Sequence, residues 1–542
     1  MTIKTYLTAS LLLASPLAFA TVAGAQTAQL DVKSDDPLAG GFLDLIRHAG
    51  GVDASGIASF HGILTFVGGS STPAVFQGSQ LLVDGQSVFS RPAGAQLALV
   101  DDLQSAGPGQ VFLNAIVATA PTNQVFAVSL NTKTILSADD PVYGPFGPGA
   151  RYARVDQIAS SGTAERLLLR AWVGENGVSQ SVVQVLELDA QGEVVGETTY
   201  VDPDARLAPF CDDSLFCHEP ALALNAHGDA LYTFDHTTFA DAIYFNDEEI
   251  AAAGDPSPII GRSWEWFSGG DINDAGDIVF VAGLNDGTSV LATPTDILAR
   301  VGDPVPGGSF TRAIHALDHV SGPPALTPDG EVVYAAYVSS LLNIDDVLLF
   351  GDEVIFEPGV TPVLGGRSFQ SGFPAHTLEA FHLSPNGRFV SVKTRLADLS
   401  NALVTIDLGR VQRLEGCATN AGSLTREQGF AVAGATVTLG FDDAQEPGAL
   451  PYLLVSDDTL TGFPPCGLPL AAGELLIDVS ATNPFLVVPA AAWNGTSVAL
   501  DLPIDANPLL IDQTVFAQGV FLSPGAAEPV RLTNALEIQI GA

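Results

Sequence analysis

In the second half of the chain, apolar and polar residues alternate in short runs, and each run follows a polar turn built on glycine. The phrase reads LNAHGDALYTF at 224–234, INDAGDIVFVAGL at 272–284, LTPDGEVVYAAYV at 326–338 and LSPNGRFVSV at 383–392. Ala-Gly, Asp-Gly and Asn-Gly supply the positive φ of a tight turn, so the spacing predicts a two-residue hairpin turn leading into a strand. In GDIVFVAGL, Ile278, Phe280 and Ala282 fall on one face of that strand, and Val279 and Val281 on the other. Both faces are apolar, which predicts sheets packed between neighbouring sheets.

A second phrase is locked to the first: GDPSPIIGRSW at 254–264, GDPVPGGSF at 302–310 and EPGVTPVLGGRSF at 357–369. Its prolines and glycines cannot continue a ladder, so it reads as the crossover between sheets. Weaker copies of the first phrase are FHGILTFVG at 60–68, GPGQVFLNAIVA at 107–118 and SGTAERLLLRAWV at 161–173. With Gly62, Gly109, Gly162, Gly228, Gly276, Gly330 and Gly387 as landmarks, the intervals run from 47 to 66 residues. Seven units of about fifty residues, each with roughly four short strands, predict an all-β fold, a seven-bladed β-propeller, with six or eight blades as alternatives. In the unit at 325–357, ALTP is read as the inner strand, EVVYAAYV as the second, DVLLFG as the third and EVIFE as the outermost. The seventh unit, ending at 404–416, lacks its crossover, and the missing piece stands near the start as DDPLAGGF, residues 35–42. Gly41 precedes Gly62 by the same 21 residues that separate Gly366 from Gly387. The N-terminal arm is therefore expected to seal the ring.

From about residue 415 the pattern changes to ATVTLGF, PYLLVSD, ELLIDVS, SVALDLP, TVFAQGV and ALEIQIG between Pro/Gly/Asn turns. Six or more strands in this stretch predict an antiparallel β-sandwich over 415–542, after a propeller over 26–414. Residues 1–25 read as a signal peptide: Lys4, an apolar Leu11–Ala20 and a small-residue cleavage site at Ala23-Gly24-Ala25. No later stretch is long and apolar enough for a membrane span. A secreted, extracellular or cell-surface protein is expected, with the periplasm as the other compartment. In such a setting the four cysteines read as disulfides, and of the three connectivities open to them the pairing of sequence neighbours, Cys211–Cys217 and Cys417–Cys466, is the one expected. The 61 acidic against 21 basic residues give a formal charge of −40. That surface repels nucleic acid and anionic membranes, because it cannot neutralise phosphates.

LTPDGEVVY and LSPNGRFVSV resemble the TolB-type, WD-repeat-like propeller repeats of exported bacterial proteins. INDAGDIVFVAGL with GDPVPGG is similar to a group of secreted bacterial proteins whose repeats carry an LNxxGxVxF phrase. The resemblance covers residues 35 to about 414. LPIDANPLLIDQTVFAQGVF and LTNALEIQIG resemble a C-terminal module of secreted proteins from such bacteria. The resemblance implies a fold and carries no catalytic residues with it, since propellers host both enzymes and binding proteins.

Candidate chemistry lies in three places. The crossover carboxylates Asp36, Asp140, Asp255, Asp303 and Glu357 would ring one end of the propeller. They suit turn capping first, and a cation such as Ca²⁺, a basic ligand or general acid–base work second. The insert PFCDDSLFCHEP, 209–220, crowds Asp212, Asp213, His218 and Glu219 into a loop that Cys211–Cys217 would pin. Loops of this kind at a propeller mouth serve recognition. Trp266 in SWEWF aligns with Arg312 and Ser371 and breaks the repeat, whereas Trp264 aligns with Phe310 and Phe369 as a core aromatic. Trp266 is thus a candidate stacking platform for a sugar. His315 and His319 are read as loop histidines before an inner strand. No metalloprotease, nucleophile-elbow, P-loop or dinucleotide motif is present, and no cofactor or metal site is expected. The sequence reads best as an exported, monomeric, non-catalytic binding module for a protein or glycan. The alternatives are a hydrolytic, polysaccharide-active propeller using channel carboxylates, and a structural envelope or matrix component.

Overall fold

Alternating strands that are apolar on both faces must be covered twice, and stacking small sheets around a ring does this. The computed structural model describes residues 28–542 apart from 40, 67, 121–122, 139, 176–177, 202–220, 235–240, 306–312, 319–321, 340–343, 359, 362–377, 415, 418–419, 421, 444–447, 461–465, 481–482, 484, 494 and 524–528. It falls into two units, Thr27–Ile406 and Asp407–Ala542. The first is a seven-bladed β-propeller.

Its blades, from inner to outer strand, begin with Gly41–Val52, Ala58–Thr65, Ser71–Gln77 and Gln80–Asp84. The second is Gln96–Ser105, Val111–Ala120, Asn123–Leu130 and Lys133–Ser137. The third is Arg151–Ala159, Arg166–Glu175, Val178–Leu188 and Val194–Val201. The fourth is Leu222–Leu224, Ala230–Tyr232, Ala242–Phe245 and Glu248–Ala252. The fifth is Trp264–Ile272, Ile278–Leu284, Ser289–Ala292 and Ile297–Arg300. The sixth is Ala313–Asp318, Val332–Ser339, Ile344–Phe350 and Glu353–Phe356, with Ala325–Leu326 also pairing its second strand. The seventh has Leu378–Leu383, Phe389–Arg395 and Asn401–Asp407, and its outermost strand is Ala28–Lys33 from the other end of the chain. The N-terminal arm therefore does more than cross over. It completes the last sheet before crossing to the first.

The two apolar faces of the fifth blade part as the alternation predicts. Phe280 and Ala282 pack with Leu231 and Ile243 of the fourth blade, and Val279 and Val281 with Val332 and Tyr334 of the sixth. The turn between the first two strands is longer than expected. Asn273 accepts from the N–H of Ala275 and of Asp277, its carbonyl accepts from Gly276, and Gly276 sits at φ 85°. This is a three-residue turn with glycine in the left-handed position, capped by the side chain that opens it. Asp53, Asn225, Thr327 and Ser384 open the equivalent turns, each three residues before a positive-φ glycine. The cap also staples blades. The Asn225 amide donates to the Asn273 carbonyl at 3.1 Å, and the Asn273 amide to the Thr327 carbonyl at 3.1 Å.

Two expectations are corrected here. In the first blade the turn glycine is Gly56, at φ 83°, while Gly62 lies inside the second strand opposite Ile46. The equal spacing from Gly41 to Gly62 and Gly366 to Gly387 was therefore not a shared register. In the sixth blade the inner strand is Ala313–Asp318, so His315 stands in that strand and not before it.

In the second unit, Phe485–Pro489, Leu450–Ser456, Thr514–Leu522, Val530–Gln539 and Arg410–Leu414 form one antiparallel group. Gly422–Gln428, Thr436–Asp443 and Val498–Pro503 form another, joined to the first by one parallel pair, Gly422 with Thr533. Leu424, Leu439, Phe441, Leu453, Trp493 and Phe521 share one core. Cys417 and Cys466 are bonded to one another.

Candidate functional site

The recurrent Asp-Pro of the crossovers has a local purpose. The Asp36 carboxylate accepts from the Lys33 N–H, Asp140 from Ser137, Asp255 from Ala252 and Asp303 from Arg300, at 2.8 to 3.1 Å. Each closes a turn at the end of an outermost strand. Pro37, Pro141, Pro256 and Pro304 then pair with the start of the next inner strand. Between the first and second blades Ser87 takes the same role, its Oγ accepting from the Asp84 N–H at 3.0 Å. Glu357 donates its N–H to Thr361 Oγ1, and most of the crossover that follows it lies outside the described residues.

The innermost strands are bulged in register. Unpaired residues interrupt the ladder at Asp44 and Arg47, Ala98 and Asp101, Ala153 and Asp156, and at Glu265, His315 and Glu379. Each first bulge follows a buried anchor: Leu43, Leu97, Tyr152, Trp264, Ile314 or Leu378. A second buried residue stands three positions on: Ile46, Val100, Val155, Phe267, Leu317 or Phe381. Two apolar anchors three apart demand an extra residue between them, because strict alternation would put them on opposite faces. Asp44, Arg47, Asp101, Glu265 and His315 are exposed. Glu379 is half-buried and holds Lys393 at 2.9 Å and Arg395 at 3.0 Å. Asp156 accepts from the Trp172 indole at 2.7 Å and pairs with Arg154. The first bulge thus presents Asp, Ala, Ala, Glu, His and Glu in the six blades that carry it.

Towards the turn end of these strands lies a cavity of about 240 Å³ lined from all seven blades, with Gln104, Gln157, Asp271 and His382 among its polar side chains. Asp271 accepts from the Leu326 N–H of the next blade at 2.7 Å, yet burial pushes its carboxyl up to about 6. His382 Nε2 lies 2.9 Å from the Ala49 carbonyl, which can only accept, so that nitrogen carries the proton. Burial lowers the His382 pKa to about 4. Beside it, His61 is fully buried, has no partner for either ring nitrogen, and stacks on His48 at 5.6 Å. Burial, with the charges of Lys393 and Arg47, lowers His48 to about 4; for His61, burial, His48 and the same two cations lower it to about 3.

Asp212, Asp213, His218, Glu219, Cys211 and Cys217 lie outside the described residues; their segment joins the outermost strand of the third blade to the innermost of the fourth. Trp264 is a buried core aromatic against Phe267 and Phe280. Its equivalents are Ile314 and Leu378, because Trp264 and Ile314 donate alike to the Asp255 and Asp303 carbonyls across crossovers of unequal length. In that register Trp266 matches Ala316 and Ala380, an apolar position. Its ring lies over Gly283, half-buried against the cluster shared by the fifth and sixth blades. The bulge residues escaped sequence reasoning, as did Asp271 and the histidine pair; the apolar residues three apart were the signal for the bulges.

No helix among the described residues is long and apolar enough to cross a membrane. No protein-family model and no curated protein matches the chain. Solved structures that it is similar to include a protein of unknown function from Bacteroides caccae, at 11% identity over 53% of this chain and 89% of that one, TM-score 0.26. Another is the polysaccharide lyase Uly1, at 10% identity over 71% and 98%, TM-score 0.29. A third is a gluconolactonase from Xanthomonas campestris, at 8% identity over 71% and 99%, TM-score 0.19. At these values the likenesses carry no functional argument.

Proposed function

We propose that the chain is an exported, non-catalytic binding module, a TolB-type, WD-repeat-like propeller followed by a β-sandwich, acting at the cell surface or in the medium. The observation that carries this reading is a contrast between two sets of equivalent positions. Asp36, Asp140, Asp255 and Asp303 are the same residue making the same backbone bond, so they are scaffold. Asp44, Ala98, Ala153, Glu265, His315 and Glu379 occupy one bulge position that holds an acid in three blades, alanine in two and histidine in one. Variation on a repeated frame is how a repeat scaffold acquires recognition. The mixed charge suits a polar partner, a glycan or a protein surface, and the acid excess excludes a phosphate backbone. The 209–220 segment adds Asp212, Asp213, His218 and Glu219 as contacts.

One observation favours the hydrolytic reading. Asp271, in the channel cavity and held near a pKa of 6, has the protonation behaviour of a general acid. A single glycan panel separates the two. Binding without turnover is expected, with at least a tenfold loss in Asp101→Ala/Glu265→Ala and in Asp212→Ala/Asp213→Ala/His218→Ala. Unchanged binding in both variants would move the site elsewhere. Turnover by the wild type that disappears in Asp271→Asn would replace this reading with the hydrolytic one.

A further inference from the structure

The second unit carries an uncovered apolar face, and the charge pattern of the chain indicates what covers it. Four cross-strand rows lie on the side of its larger strand group away from the main core. They are Val530–Leu522–Leu450, Leu532–Val520–Tyr452–Pro489, Ala535–Gln518–Leu454–Val487 and Glu537–Phe516–Ser456–Phe485. The hairpin Leu468–Leu470 and Gly473–Leu475 with its flanks shelters the middle of this face, packing with Leu454, Phe516, Val520 and Leu532. It leaves an L-shaped rim. Val530 and Leu450 are 37% and 39% exposed on one arm, and Phe485 and Val487 are 43% and 47% exposed on the other.

The second arm is also a sheet edge. Among the described residues Phe485–Pro489 pairs only with Leu450–Ser456, and the alternation of an antiparallel ladder turns the backbone groups of every second residue outward. Sheet edges are ordinarily blunted by charged side chains, especially Lys, or by proline; here Pro489 blunts one end and no charge is present. In a chain of net charge −40, residues 479–500 contain no Asp, Glu, Lys or Arg, and neither do Leu450–Ser456 and Thr514–Leu522. A basic partner gains nothing from such a surface and is drawn to the acidic remainder. A second copy of the same acidic chain meets no like charge on Phe485–Pro489 or on the two strands behind it.

We propose that this face is the interface of a homodimer, in which Phe485–Pro489 of two copies pair antiparallel about a twofold axis. An isologous contact of this kind joins the two sheets across the edge, setting Phe485 of each copy opposite Pro489 of the other and Val487 opposite its own copy. The dimer departs from the monomer expected from the sequence, and it does not depend on the binding role of the propeller.

Light scattering of the full chain after gel filtration, at 1–100 µM in moderate salt, should give twice the mass of one chain. Val487→Lys should give a single-chain mass and still melt cooperatively, because in the single chain its side chain faces solvent. Val487→Cys should form a cross-linked dimer on mild oxidation, since the central residue of a twofold antiparallel pair meets its own copy. A wild-type monomer throughout that range overturns the proposal, as does a Val487→Lys dimer. A wild-type monomer that floats with phosphatidylcholine vesicles would overturn it in favour of a lipid surface.

Discussion

His61 has two ring nitrogens and no partner for either. A neutral imidazole survives burial at the cost of its unmade hydrogen bonds, and a charged one would add the cost of desolvation beside His48, Arg47 and Lys393. The sign of the pH effect follows. The folded pKa values of His48, His61 and His382 lie below the unfolded value near 6.5, so between 6.5 and about 4 the unfolded chain binds more protons. The stability from keeping these rings neutral is complete above pH 6.5 and falls as the pH drops towards 4. Asp31 acts in the opposite sense. It is the bulge residue of the closing strand, hydrogen-bonded by Thr405 at 2.6 Å, and burial raises it to about 7. Its contribution is complete below its unfolded value and fades as the pH rises through 7. Thermal melts across pH 4–8 should therefore show His61→Phe with a flatter acid limb, by at most about 1.4 kcal/mol per pH unit. Asp31→Asn should gain on the wild type between pH 5 and pH 8. Parallel curves for all three proteins would show that these groups do not titrate in the folded range.

The crossover is the element on which sequence and structure agree most closely, and the inner strand the one on which they agree least. Asp before Pro at a strand end is legible because the cap is local: carboxylate, turn and donor N–H span four residues. The equivalence of Ser87 gives a measurable expectation. Asp255→Ser should keep the Ala252 N–H bonded and cost under about 0.5 kcal/mol, whereas Asp255→Ala should cost about 1 kcal/mol in urea titration. Equal losses would mean that the cap is not what the position supplies. The inner strands were harder to read because a bulge belongs to a pair of strands, and its cause is the neighbouring sheet that each anchor must reach. Leu43 with Ile46, Leu97 with Val100 and Trp264 with Phe267 break the two-residue period that defines a strand in isolation. The same blindness placed the first-blade landmark at Gly62. The apolar run after it resembles a second strand, but the cap and its glycine, Asp53 and Gly56, stand one turn earlier. Aligning Trp266 by the residue after the crossover glycines failed for a related reason: the crossovers differ in length, and only the ladder shows where each re-enters the sheet.

At the scale of the whole molecule, the number of repeats and the closure of the ring were legible, while the bulge positions that distinguish one blade from another were not. A repeat displays its scaffold seven times and its function once. The closing strand is the feature on which the ring depends, because Ala28–Lys33 covers the otherwise open edge of Asn401–Asp407. Deleting residues 28–33 should lower the melting temperature of the first unit by several degrees and make the protein associate through that bare edge. An unchanged melt and mass would show that three strands suffice for the seventh blade. The same strand also fixes an order of events in time. Asp31 meets Thr405 across 374 residues of chain, so the earliest part of the ring to emerge is the last to find its place. Six blades can assemble as they are made, but the seventh must wait until residue 407 is free, and a contact of that span is slow to form. A growing chain thus carries an unpaired strand at its head until residue 407 has been made. Any tag or tether fixed ahead of Ala28 would act on that final step.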